Sequence, residues 1–105
     1  MDIAIDDLNV EHNAGARRFE LHYGDAIARL EYYVRGSTII YTHTIVPPAL
    51  EGHGIAARLA REALDYARDE GLTVVPLCPY VADYIEKHPD YGDLVARGDG
   101  GSDDN

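Results

Sequence analysis

Apolar and polar residues alternate one for one through Arg18-Phe19-Glu20-Leu21-His22, the period of a strand with one buried face. The same alternation over residues 26–34 puts Ala28, Leu30 and Tyr32 on one face. Tyr23-Gly24-Asp25 and Arg35-Gly36-Ser37 separate these runs as hairpin turns. Residues 38–46 are rich in β-branched and aromatic types and predict a longer strand. Ahead of them, residues 8–13 predict a short first strand and residues 1–7 a loose acidic lead-in. The front half reads as an antiparallel meander.

Past residue 54 the period lengthens. Ala56, Leu59, Ala60, Ala63 and Ala67, flanked by Ile55 and Leu64, line one helical face. Arg58, Arg61, Glu62, Asp65, Arg68 and Asp69 line the other. The small alanines allow close packing on a sheet, and Gly71 is a natural stop. Residues 72–78 predict a short apolar strand, parallel to residues 38–46 because a helix connects the two. Pro76 cannot donate to a ladder, so this strand lies at an edge or splays from its neighbour there. A second helix is expected over residues 81–87, ended by Pro89, and residues 90–96 add a turn. Residues 98–105 hold no apolar side chain and predict a disordered acidic tail. The predicted fold is α/β with a mixed (α+β) sheet, an antiparallel meander plus one parallel splayed strand. Two main helices pack on it, in a single domain spanning residues 1–97.

Residues 46–59 are the most informative stretch: a strand end, the Pro47-Pro48 bend, a turn with Gly52 and Gly54, then a helix start. Glycine lets a ligand approach the backbone closely. The first N–H groups of a helix have no intrahelical partner, and with the helix dipole they suit an anion such as a phosphate. The bland alternative is a loop with a glycine helix start. A dinucleotide fingerprint fits the spacing G-x-G-x-x-A but not the context, because residues 47–51 separate the glycines from the strand. A nucleoside-triphosphate loop is excluded, since no Gly-Lys-Ser/Thr follows.

Composition narrows the partners. The chain has 105 residues, 46% of them hydrophobic, and a net charge of −10. That charge argues against nucleic acid or an anionic membrane and suits a cationic acceptor such as an amine. The N-terminus has neither a basic region nor a long apolar run, so no signal peptide or membrane span is expected. A lone cysteine leaves no internal disulfide and fits a reducing cytoplasm. The histidines and the cysteine lack paired zinc spacings, so no metal site is expected. The only serines, Ser37 and Ser102, fall in a turn and the tail, which leaves no Ser-His-Asp triad.

Four blocks in order, His43-Thr44-x-Val46-Pro47, Leu50-x-Gly52-x-Gly54-Ile55-Ala56, Pro76-x-Cys78-x-Tyr80-Val81 and His88-Pro89-x-Tyr91, carry a resemblance. Over roughly residues 8–95 the chain resembles the GNAT superfamily of acetyl-CoA-dependent N-acetyltransferases, and more narrowly its minimal single-domain family. The resemblance implies acetyl-CoA in the splay between the two parallel strands, with the backbone of Ile45 and Val46 along the pantetheine arm. It implies a pyrophosphate on the amides of Gly52, His53, Gly54, Ile55, Ala56 and Ala57, aided by Arg58 or Arg61, with Glu51 also at the cofactor site. Local amides and these guanidiniums then outweigh the repulsion between two anionic molecules.

The resemblance places Cys78 near the thioester, as a nucleophile or as a group lining the slot; the bland reading is a buried inert thiol. Only the thiolate is nucleophilic, and a helix N-terminus favours it. Tyr80 and Tyr84 are candidates to protonate the leaving thiolate, and His88 either caps the helix or contacts the cofactor. Members of the family often carry an acid where this chain has Ile45, and Arg or Gln where it has Glu51. The first departure removes the obvious base and leaves His43 as the substitute by location. The expected function is acetyl transfer from acetyl-CoA to an amine on a small molecule or protein, directly or through Cys78. The alternative is a CoA-binding or protein-interaction module without turnover. Oligomeric state stays open.

Overall fold

The computed structural model describes residues 5–96, so the acidic tail expected at residues 98–105 lies outside the described residues. Five strands form one sheet in the order β1-β2-β3-β4-β5: β1 Glu11–Asn13, β2 Arg18–Tyr23, β3 Ala26–Arg35, β4 Thr38–Ile45 and β5 Thr73–Pro76. The first four pair antiparallel, and β5 runs parallel to β4. Helices α1 (Ile55–Asp69) and α2 (Pro79–Lys87) are joined by short 3-10 turns at Ile5–Asp7, Pro48–Leu50 and Pro89–Leu94. Among the described residues, no helix is long and apolar enough to cross a membrane.

Both helices lie on one face of the sheet. Phe19, Leu21, Ala28, Leu30, Ile39 and Tyr41 point into a core shared with Leu59, Ala60, Ala63, Leu64 and Ala67 of α1 and with Val81 and Ile85 of α2. The alanine seam brings α1 close enough for the Tyr41 hydroxyl to donate to the Ala63 carbonyl, 2.5 Å away. Burial raises the Tyr41 phenol far above its usual range, so it keeps the proton that it donates there. Ala56, expected in the apolar face, is only half-buried, because it sits at the open end of that seam. At the other end, Gly71 (φ 68°) turns the chain left-handed, and the Leu72 N–H caps the Ala67 carbonyl at 2.8 Å.

Several boundaries move from the pattern-based expectation, each for a local reason. The lead-in is not loose at residues 5–8: Leu8 N–H closes a turn on Ile5 O, and the Arg58 guanidinium donates to the carbonyls of Ile5 and Leu8. That turn delays the first strand to Glu11. The His12 ring, stacked on Phe19 with centroids 4.2 Å apart, docks this short edge. The last strand stops at Pro76 and α2 begins at Pro79, since proline suits the first helical position.

Pro76 sits in the edge strand without disturbing the ladder. Thr73 N–H bonds to Ser37 O on the inner side, while Val74 O accepts from Ala96 N–H on the outer side. By alternation the donor that Pro76 lacks faces outward too. The strand ends because Leu77 N–H turns back onto Val75 O, a three-residue turn centred on the proline. Cys78 N–H then supplies the last bond across, to Tyr41 O at 2.9 Å.

A register shift on the other side of β4 has equal weight. Tyr32 pairs with Tyr41 but Glu31 pairs with His43, so Thr42 is an extra residue, a β-bulge. The bulge moves the inward-facing series on β4 from Ile39 and Tyr41 to Thr44, the partner of buried Leu30. His43 and Ile45 are turned to the helix-free face.

That face carries charges in cross-strand register, with Arg18 opposite Glu31 and Glu20 opposite Arg29. Glu20 is the one buried charged residue among the described residues. It accepts from His22 Nε2 at 2.8 Å, from Asn13 Nδ2 at 3.2 Å and from Arg18 Nε. Hydrogen bonding by His22, then by Arg18 and Asn13, outweighs burial and brings its carboxyl down to about 2.

Two stability predictions follow from these contacts. Tyr41→Phe should lose about 0.5–1.5 kcal/mol, read from the denaturant midpoint, with the sheet retained. Glu20→Gln should lose about 1–3 kcal/mol near neutral pH, because the donors around it lose a charged acceptor. For a depressed carboxyl the native advantage is complete above its ordinary value near 4.5 and disappears as pH falls toward about 2. Melting curves of the two proteins should therefore converge in acid.

Candidate functional site

The site begins where β4 outruns β5. Their ladder stops at the Tyr41–Pro76 pair, whereas β4 continues to Ile45, and residues 43–45 pair with β3 alone. The chain then bends at Pro47, makes the turn at Pro48–Leu50 with Leu50 fully buried, and enters the glycine turn. Gly54 caps α1 in the left-handed region (φ 69°, ψ 22°) without a side-chain hydrogen bond, and Gly52 has φ 84°. Arg58 N–H to Gly54 O is the first helical bond, so the amides of Ile55, Ala56 and Ala57 have no intrahelical acceptor.

Those amides open on a cleft of about 200 Å³ lined by Val46, Leu50, Glu51, Gly52, Gly54, Ile55, Ala56, Ala57 and Tyr80. A Cβ placed on Gly52 or Gly54 would meet nothing within 4 Å, so the backbone is open to close approach. This set brings together most of the residues singled out for the cofactor. Ile45 and His53 are exposed and stand outside the lining. Arg58 is committed to the carbonyls of Ile5 and Leu8, and Arg61 lies one turn further along α1, in a different groove. Tyr80 lines the cleft, and burial raises its phenol, favouring the protonated form.

Cys78 caps the N-terminus of α2, almost fully buried. Its N–H is held by Tyr41 O, its carbonyl takes Ala82 N–H at 3.0 Å, and its Sγ lies 3.2 Å from Thr44 Oγ1. Thr44 was not singled out from the sequence, because the bulge that turns it inward leaves no mark in the residue pattern. That same bulge parts Cys78 from His43, whose side chain is 70% exposed on the opposite face, with Nδ1 3.7 Å from Glu31 Oε1.

Tyr84 and His88 belong to neither of these places. Their rings stack with centroids 3.9 Å apart, and His88 Nδ1 lies 2.8 Å from the Tyr84 carbonyl, capping the C-terminal turn of α2. Both line a groove of about 720 Å³ with Arg61, Asp65, Arg68, Asp90 and Tyr91. Burial and the bond to Asp65 push the Tyr91 phenol up to about 12. Ala57 and Arg61, like Tyr80 and Tyr84, are one turn apart, so the cleft and this groove follow the same interhelical seam.

Among the described residues one group has metal-ligand types in reach of one another: Glu11, Glu20 and His22. The Arg18 guanidinium already occupies the cationic position beside Glu20, which makes the group an ion-pair network.

The model of the GCN5-related N-acetyltransferase family matches residues 18–94. Protein NATD1 of Xenopus tropicalis is 34% identical over 85 residues, covering 78% of both chains. The Homo sapiens and Mus musculus proteins of that name are also 34% identical over 85 residues, with 78% of this chain and 75% and 77% of theirs covered. The solution structure of a GCN5-like protein from Staphylococcus aureus shares the fold, with a TM-score of 0.68 and 24% identity over 86% of this chain and 89% of that one. The matched segment contains the parted strands and the bare helix tip together, and the chain belongs to the GCN5-related N-acetyltransferase family.

Proposed function

We propose that this protein transfers an acetyl group from acetyl-CoA to an amine. The observation that carries the reading is the early end of the β4–β5 ladder at Tyr41–Pro76, one bend away from three helix amides without an intrahelical acceptor. The slot between the strands suits a narrow amide-bearing arm, since residues 43–45 pair on one side only. The amides of Ile55, Ala56 and Ala57 suit the pyrophosphate, and the open Cβ directions of Gly52 and Gly54 leave it room.

Local geometry answers the charge problem. The protein is strongly anionic and Glu51 adds a carboxylate to the cleft, while Arg58 is held elsewhere. The helix dipole contributes about 0.3–1 kcal/mol at such a site and acts within its first turn, whereas distant charges are screened beyond ~10 Å. Tyr80, protonated and in the cleft, is placed to return a proton to the departing sulfur. A lysine-like amine costs about 4–5 kcal/mol to deprotonate at pH 7, so the acceptor needs a base. Transfer runs directly to the amine in this reading, because the Cys78 sulfur is buried and engaged with Thr44.

Incubation with labelled acetyl-CoA and a panel of amines should yield acetylated product with matching thioester loss. Gly54→Trp should abolish both while keeping the cooperative melt, lowered by about 1–2 kcal/mol for a side chain in the left-handed region. Retained turnover in that variant would count against the cleft, and a thermal shift with CoA but no product would select a binding module. Cys78→Ala should change the rate by less than about tenfold, under 1.4 kcal/mol of barrier. A far larger loss, with an acetyl group found on Cys78 by intact mass, would establish the covalent route instead.

A further inference from the structure

Beyond the Tyr41–Pro76 pair β4 and β5 part, and the two faces of β4 differ there. On the helix side stand the glycine cleft, Tyr80, and the buried pair Cys78–Thr44. On the other face no helix packs among the described residues, and the side chains beside the parting come from β4 and its neighbour β3. Three observations meet there. His43 projects from the unpaired stretch of β4 and is largely exposed. Glu31 is its cross-strand partner because of the bulge at Thr42. The Glu31 carboxylate is already oriented, with Oε2 accepting from Arg29 Nε at 2.8 Å and Oε1 left facing His43 Nδ1 at 3.7 Å.

We infer that the acceptor amine enters from the helix-free face, and that Glu31 positions His43 as the base that deprotonates it. The inference rests on the acetyl-transfer reading and specifies its acceptor side. The carboxylate absent at Ile45 is thereby supplied from the adjacent strand, through an imidazole. With Nδ1 turned to Glu31, Nε2 is the nitrogen directed at the acceptor. A distance of 3.7 Å is within ion-pair range but beyond a hydrogen bond, and contacts of this kind tighten when substrate binds.

The step balances without a further reactant. The acceptor arrives as an ammonium; one N–H proton passes to His43 Nε2, and the lone pair so freed forms a C–N bond to the thioester carbonyl carbon. The C–S bond breaks, the sulfur leaves with its electron pair and takes a proton from Tyr80, and the second proton lost from nitrogen as the amide forms goes to solvent, from which Tyr80 is reprotonated. The histidine proton goes to solvent, to which His43 is open. Primary and secondary amines are the class served, since a tertiary amine has no N–H left to lose as the amide forms.

A double-mutant cycle tests the pair on the intact chain. His43→Gln should lower kcat by about 100-fold or more, the range of general-base loss. Glu31→Gln should lower kcat by about tenfold with the KM for acetyl-CoA unchanged, and Glu31→Asp should recover part of it. Adding Glu31→Gln to His43→Gln should cost nothing more, because Glu31 acts only through the histidine. Melting temperatures of all four variants report whether the sheet is intact. Multiplying losses, a raised KM for acetyl-CoA, or an unchanged rate in Glu31→Gln would overturn the inference while leaving acetyl transfer standing. Absence of transfer in the unmodified protein would overturn both.

Discussion

Tyr41 is the point at which the sheet divides, and the rest of the molecule is built around it. Its carbonyl receives Cys78 N–H, the last bond across the parallel pair. Its hydroxyl is held on the Ala63 carbonyl of α1, and its ring packs at centroid distances of 6.0 Å from Tyr32 and 6.4 Å from Phe19. The Tyr41 side chain therefore ties α1 to the sheet, and its carbonyl marks the depth at which the strands part. A hydroxyl in such a place must be satisfied, so its contact with the helix backbone is a constraint on helix position as much as a source of stability.

From that point both sides of β4 are irregular, for different reasons. Toward β5 the ladder ends in the turn centred on Pro76, which frees one side of residues 42–45. Toward β3 the extra residue Thr42 reverses the inward and outward positions beyond it. The outcome is a division of labour across the sheet: Thr44 meets Cys78 inside, and His43 meets Glu31 outside.

The electrostatics are local as well. A chain with net charge −10 holds its candidate anion site with backbone amides, which carry no net charge and are not neutralised by nearby carboxylates. The arginine in the first turns of α1 does structural work instead, tying down the segment that precedes β1. On the helix-free face the charges alternate in sign between neighbouring strands, and Glu20 can be buried only because His22, Asn13 and Arg18 surround it.

Much of this was readable from the residue order. Period-two alternation marked β2 and β3, with Ala28, Leu30 and Tyr32 on the buried face, and the alanine-lined period marked α1. Gly52 and Gly54 marked the turn because only glycine takes positive φ without strain, and both do so. Pro76 pointed to an edge strand because a missing donor is a local property. These features depend on each residue and its near neighbours along the chain. What the order of residues could not reveal depends on partners distant in sequence. The bulge opposite Glu31 decided that His43 faces out and Thr44 faces in, and the Ile5 and Leu8 carbonyls decided that Arg58 is occupied. Packing between α1 and α2 placed Tyr84 and His88 in a groove apart from the glycine cleft. Register and side-chain partnership are settled between strands and helices, where a shift of one residue exchanges the two faces while the alternating pattern along the chain stays the same.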